Sequence, residues 1–398
     1  MESFNRICLM LFLFLKLSNQ SDPRLFQRKV ANYPAMDVVG PKPKPEWITA
    51  YEQEKAAGRI PNIPPAIKLG PGSIKYPSGV NPLDPNVCSW TMGCKSPHDI
   101  NDAPDGMMGI SFDDGPQGGA VELLRFLKSV NQTATHFMIG SRILGNPKDF
   151  QAALTQGDHI AVHTWSHPLM STLSDQAVLG EIGWTLQIIF DLSGGRLPAY
   201  WRPPYGDADN RVRAIAKKVF GLQTVIWNHD TNDWCVTSQD TNTCGNAGPA
   251  NQAAVTSEIK GFAASSKSPG LIILEHEITV HSVRAFSDSW STIKAAGWDT
   301  RPIPSLFNHP WYQNAIGAFD NPIKLNSVLN ATSYINDQLT RPTKDLTSDV
   351  IASTSNSSLS QNSTNSPQSR AQSGMSRKEF KSGQFFLVFM IISLFSQI

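Results

Sequence analysis

The chain has 398 residues, 40% of them hydrophobic, and a formal net charge of +1. That is apolar material enough for one large catalytic domain with extensions. With neither a basic nor an acidic excess, charge gives no footprint for nucleic acid and no solvating acidic tail, so no nucleic-acid partner is expected.

At the N-terminus, Arg6 precedes the apolar run 7–15, and Ser18, Asn19 and Gln20 follow. A positive residue, a short apolar segment and a small polar exit predict a secretory signal over residues 1–19. The alternative is a buried N-terminal helix; the run is too short to span a bilayer. Residues 20–103 are proline-rich, with Pro41-Lys42-Pro43-Lys44-Pro45 the extreme, and predict an extended arm wrapped on the main domain.

From about residue 104 the texture changes. Strands are predicted over 108–112, 135–139, 159–162, 224–228 and 270–274. Helices are predicted over 120–130, 149–156, 174–193, 210–219 and 251–264. This alternation predicts a parallel sheet with crossover helices, either an open doubly wound sheet or a closed barrel. In both, chemistry gathers at the C-terminal strand ends. The catalytic domain is bounded at 104–300, with an extension over 301–345. Residues 346–374 are rich in Ser, Thr and Asn and predict a glycosylated stalk without a core. The chain ends in small residues, a polar spacer and the apolar run 385–398. That order predicts a glycosylphosphatidylinositol signal, with 375–398 removed and the lipid on Ser373 or Gly374. A transmembrane tail is the alternative, but fourteen residues fall short of a span.

Cys8 departs with the leader, leaving Cys88, Cys94, Cys235 and Cys244. An even count in an exported chain implies disulfides. Three connectivities exist, and Cys88–Cys94 with Cys235–Cys244 needs the least chain rearrangement. A four-cysteine metal site would call for shorter gaps. Sequons at Asn131, Asn330, Asn356 and Asn362 suit a glycosylated surface.

The polar motifs all follow predicted strands. Ser111-Phe112-Asp113-Asp114-Gly115-Pro116 places two carboxylates side by side, which repel unless a cation or a shared proton sits there. Its alternative is a plain turn. His163-Thr164-Trp165-Ser166-His167 has two imidazoles four apart, a spacing that suits one zinc with a carboxylate as third ligand. His276-Glu277 with His281 is not the His-Glu-x-x-His pattern, because its spacing is five. Trp201-Arg202-Pro203-Pro204-Tyr205-Gly206 is a rigid arginine-bearing turn. Asp230-Thr231-Asn232-Asp233-Trp234 and Ile273-Leu274-Glu275-His276 end two more strands. Each motif alone is a weak signal.

Together, in this order, the five motifs resemble the polysaccharide deacetylases (carbohydrate esterase family four, the NodB homology domain), and within them the fungal chitin deacetylases. The resemblance covers about residues 104–300 and implies a distorted, incomplete (β/α) barrel. It implies that Asp113 is the general base, that Asp114, His163 and His167 hold zinc (or cobalt), and that Arg202 holds Asp113. The Tyr205 backbone amide would bind the oxyanion. Trp234 and Leu274 would line the acetyl pocket, and His276 would be the general acid. Its partner would be Asp233 or Asp230. Asp233 is preferred because it directly precedes Trp234, while Asp230 is placed to bond backbone N–H groups. Ser111 stands where the family usually has threonine, and Glu277 where many bacterial members have aspartate.

The implied reaction removes N-acetyl groups from N-acetylglucosamine units of chitin, giving chitosan and acetate. Alternatives are the same chemistry on another polymer of that sugar, or a non-catalytic protein that holds wall polysaccharide. Chitin or chito-oligosaccharide is the expected partner. A monomer is expected, secreted and tied by its lipid to the outer face of the plasma membrane or the cell wall.

Overall fold

The computed structural model describes residues 32–315, apart from residue 37, and residues 322–329. The leader, the stalk, Ser373, Gly374 and the sequons at Asn330, Asn356 and Asn362 lie outside the described residues. No helix among the described residues is long and apolar enough to cross a membrane.

The arm is not merely extended. Pro45 opens α1 (Pro45–Ala56), because proline's fixed φ suits the first helical position. Trp47 and Tyr51 of α1 are buried in the main core. A hairpin of β1 (Ile67–Gly70) and β2 (Ser73–Lys75) follows. The sequence hid α1 because it buries so few side chains; its stability comes from the domain it covers rather than from an apolar stripe of its own.

The main domain then runs β3 (Met107–Gly109), β4 (Ser111–Gly115), α2 (Ala120–Ser129), β5 (Thr135–Met138), α3 (Gly140–Gly145), α4 (Pro147–Gln156), β6 (His159–Val162) and α5 (Asp175–Leu192). It continues with β7 (Tyr200–Trp201), α6 (Asn210–Ala214), β8 (Gln223–Thr224), β9 (His229–Asp230) and α7 (Gln252–Ala263). Last come β10 (Leu271–Leu274), α8 (Val280–Ala295), β11 (Asp299–Arg301) and α9 (Ile303–Leu306). One parallel sheet has the order β4-β5-β6-β7-β8, and a second has β11-β3-β10-β9. Only Ile110 separates β3 from β4, so one stretch of chain serves both sheets. An isolated parallel bridge between Asp113 and His276 draws the end of β10 toward β4. The result is the distorted, incomplete barrel; the described strands form no closed ring.

Every residue of β5, β6 and β10 is buried, as expected for parallel strands covered on both faces. The strands β7, β9 and β11 and the helix α8 are absent from the sequence reading. Strands of two or three residues give no periodicity. The buried face of α8 includes Ser282 and Ser289 beside Val283, Phe286 and Ile293, which blurs its apolar stripe. Its start is fixed by Thr279, whose hydroxyl accepts from the Ser282 N–H in a reciprocal capping box.

Both local disulfides are formed, Cys88–Cys94 and Cys235–Cys244. The second closes the loop that follows Trp234. Asn131 is exposed just past α2, at φ +50°, a left-handed position asparagine tolerates.

Candidate active site

Successive residues of a strand point to opposite faces, so Asp113 and Asp114 on a regular strand could not share a site. β4 solves this with a bulge. Asp113 pairs with Phe137 and Gly115 with Met138, leaving Asp114 as an extra residue at φ +71°. The bulge re-aims Asp114 toward the site that Asp113 faces.

Asp114 Oδ1 lies 3.2 Å from His163 Nε2 and 3.2 Å from His167 Nε2. Among the described residues these three form the one cluster whose ligand atoms all lie within 4.8 Å of one another. The donor chemistry fits a cation. His163 Nδ1 donates to the Arg202 carbonyl at 2.7 Å, which leaves Nε2 with its lone pair facing Asp114. Asp114 Oδ1 is buried and accepts no well-formed hydrogen bond. At His163, acceptor therefore faces acceptor, and a metal ion fits between these three ligands. Burial works to raise the Asp114 carboxyl, but the electrostatic effect of His167 and the approach of both imidazoles outweigh it. They hold it well below the ordinary carboxylate range.

Asp113 is held from the other side. Arg202 Nη1 donates to Asp113 Oδ1 at 2.6 Å, and Nη2 donates to Ser111 Oγ at 3.1 Å. Serine at position 111 thus supplies the hydroxyl that the site uses. The Arg202 guanidinium is fully buried and stacks over Phe137 at 4.2 Å. Asp113 Oδ2 remains 3.8 Å from His163 Nε2, beside the metal pocket.

Opposite stands His276. Its Nδ1 lies 2.6 Å from Asp233 Oδ1, and its backbone N–H donates to Asp233 Oδ2 at 2.8 Å. Asp230 instead accepts from the Asn232 N–H at 2.8 Å. Burial opposes a charge on His276, yet the Asp233 carboxylate, with Asp114 and Asp113 beyond it, raises its pKa to about 10.

Tyr205 and Trp234 stand half exposed at the mouth, and Leu274 is buried at the end of β10. The Tyr205 ring lies 4.8 Å from that of His167. Asp114, Thr164, His167, Tyr205 and Asn232 all have positive φ, between +49° and +71°. Such backbone costs about 1–3 kcal/mol per residue and persists only where surroundings impose it. Five such residues on four of the five strand-end motifs mark this as a constrained part of the molecule.

The structure therefore brings Asp113, Asp114, His163, His167, Arg202, Asp233 and His276 together. Sequence reading missed two supports. Glu181, mid-helix in α5, bonds the His163–His167 loop. Glu277 turns away from His276 to His136 Nδ1 at 3.0 Å. Nothing local in the sequence pairs either with its partner.

The polysaccharide deacetylase family model matches residues 100–225. Chitin deacetylase 3 of Cryptococcus neoformans is 37% identical over 315 residues, covering 77% of this chain and 75% of that protein. Chitin deacetylase of Amylomyces rouxii is 36% identical over 226 residues, covering 54% of this chain and 52% of that protein. Among solved structures, the chitin deacetylase from Colletotrichum lindemuthianum is 20% identical, with a TM-score of 0.46, over 52% of this chain and 89% of that one. With 37% identity shared across most of both chains, this protein belongs to the polysaccharide deacetylases of the fungal chitin deacetylase type.

Proposed function

We propose that the protein is a zinc-dependent hydrolase that removes N-acetyl groups from N-acetylglucosamine units of chitin, leaving chitosan and acetate. The observation that carries this reading is the convergence of the Asp114–His163–His167 pocket with two opposed proton-handling pairs, Arg202–Asp113 and Asp233–His276. Zinc held by Asp114, His163 and His167 would polarise the amide carbonyl and lower the pKa of bound water.

The chain's own groups supply the rest. Asp113, fixed by Arg202, takes the proton from the attacking water. The Tyr205 backbone N–H, on a turn rigidified by Pro203 and Pro204, donates to the developing oxyanion, a contact worth about 3 kcal/mol in the transition state. His276, kept protonated by Asp233, donates to the leaving amine, which is too basic to depart unprotonated. Leu274 and Trp234 enclose the acetyl methyl and exclude water. The half-exposed rings of Tyr205 and Trp234 offer apolar faces to a sugar chain lying across the mouth.

A secreted, lipid-anchored enzyme at the cell surface accords with this substrate and with the disulfides. The test is acetate release from chitin oligomers, with chelator and with zinc restored. We expect release that is lost on chelation and regained with zinc. Release from a peptidoglycan-type polymer but not from chitin would move the substrate; none from either would leave a polysaccharide-binding protein.

A further inference from the structure

A helix five turns long has no need of a carboxylate in its interior, and burying one is costly unless every lone pair is used. Glu181 of α5 is fully buried and uses them all outside its helix. Its Oε2 accepts from the Trp165 and Ser166 backbone N–H groups, both at 2.8 Å. Its Oε1 accepts from Ser166 Oγ at 2.6 Å and from the Gly40 N–H at 2.7 Å. Three of the four bonds go to the loop between His163 and His167, and the fourth goes to the N-terminal arm.

That loop needs holding. Thr164 and His167 sit at φ +66° and +63°, so the segment is not a helical turn, and the four-residue spacing alone does not aim both imidazoles at Asp114. A β-branched residue in the left-handed region is an outlier that its surroundings must impose. One carboxylate gripping the two N–H groups midway along the loop does so, from a rigid helix.

The arm closes the other side. Ala35 O accepts from Trp165 Nε1 at 3.0 Å, and the Tyr33 ring stacks on Trp165 at 6.2 Å. The arm is seated on α5 along Ala177, Gly180 and Gly183, one face of the helix. A Cβ on Gly180 would overlap the Pro41 carbonyl oxygen, and one on Gly183 would meet the Trp47 ring at 2.5 Å. Gly40 itself sits at φ +62°, where a Cβ would lie 2.6 Å from Ala177 Cβ. The seat is thus cut to bring the Gly40 N–H to Glu181.

We infer that Glu181 is a positioning residue for the metal pocket and that the N-terminal arm, through Gly40, is a working part of that pocket. This rests on the reading of Asp114, His163 and His167 as metal ligands. Outer groups that orient metal-binding histidines typically contribute about 10- to 100-fold in affinity.

The experiment measures the zinc Kd of the full chain by competition with a chromophoric chelator, alongside acetate release and circular dichroism. Glu181→Gln, which keeps the volume but turns an NH2 toward N–H donors, should weaken zinc about 10- to 100-fold. Gly40→Ala, which lifts the arm, should weaken it in the same direction by less. Trp184→Phe removes an arm contact, the bond from Trp184 Nε1 to Lys42 O, that does not reach Glu181. It should lower thermal stability and leave Kd alone. Ser166→Ala, which removes one of the four bonds, tests the node if Glu181→Gln does not fold. Unchanged zinc Kd in folded Glu181→Gln, or in Ser166→Ala and Gly40→Ala together, overturns the inference while an active wild type leaves the proposed function standing. Zinc binding without acetate release in wild type, with Kd weakened in the variants, sinks the proposed function and supports the inference. A wild type that binds no zinc overturns both.

Discussion

Asp113 and Asp114 are chain neighbours with different partners, one clamped by Arg202 and the other between two imidazoles. Asp113→Asn should therefore retain metal and lose at least about 100-fold in kcat, the scale of a lost general base. Asp114→Asn should lose the metal itself. Elemental analysis of both purified variants decides it; equal metal loss refutes the division. A second prediction concerns His276, whose pKa stands at about 10 because Asp233, aided by Asp114 and Asp113, outweighs burial. The acid form is present below the folded-state pKa and is lost as pH rises through it. Asp233→Asn should pull the alkaline limb of the kcat profile toward the ordinary imidazole value of about 6.5, with metal content unchanged. Asp230→Asn should leave the limb in place, since Asp230 serves the Asn232 N–H. A shift confined to Asp230→Asn would exchange the two assignments.

At the scale of elements, the β4 bulge rests on a buried row of charges. Glu277 Oε2 lies 3.0 Å from His136 Nδ1 on β5, and His136 Nε2 lies 3.6 Å from Asp158 Oδ2, too long for a hydrogen bond. Glu277 also fills the space beneath Gly115, where a Cβ would overlap its Oε1. Burial disfavours a charge on His136, but Glu277 and Asp158 raise its pKa to about 10. Because the folded pKa exceeds the unfolded value, the stabilisation is fully present below about pH 6.5. It is lost as pH rises through 10. His136→Gln should cost about 3–5 kcal/mol near neutrality, because it strands two buried carboxylates. Denaturant melts of wild type and variant should converge above pH 10; a gap constant with pH would mean that His136 acts by packing alone. Gly115→Ala should displace the bulge and weaken metal binding, read by the same elemental analysis.

At the scale of the whole molecule, a metal held by three ligands would not be what holds the fold. One core spans α1, α5 and strands β5 to β7, and a second packs α2, α7 and α8 on β3, β4 and β10. Chelation should abolish acetate release and leave far-UV circular dichroism intact. Stability should fall by no more than the linkage term of one ion, about 2.7 kcal/mol at free metal near 100 times Kd. Unfolding on chelation would recast the site as structural.

The chemistry-bearing residues and the alternation of strands with helices are legible along the chain. Motifs at strand ends are local, and a buried parallel strand such as 159–162 writes its apolar run directly into the chain. The two local disulfides were legible for the same reason, since each joins cysteines a short loop apart. Whatever depends on two distant segments meeting was decided only by the tertiary structure. Spacing placed His163 and His167 four apart, but their convergence on Asp114 requires a bulge at one strand end and a left-handed loop at another. The choice of Asp233 over Asp230 turns on β10 lying beside β9. Glu181 reads as an ordinary surface-type residue along the chain, and Glu277 as a departure from the family pattern with no partner in view, because a carboxylate's burial is set by what packs over it. The arm's part in the site is the extreme case: Gly40 and Glu181 are 141 residues apart, and only folding brings that N–H to that oxygen.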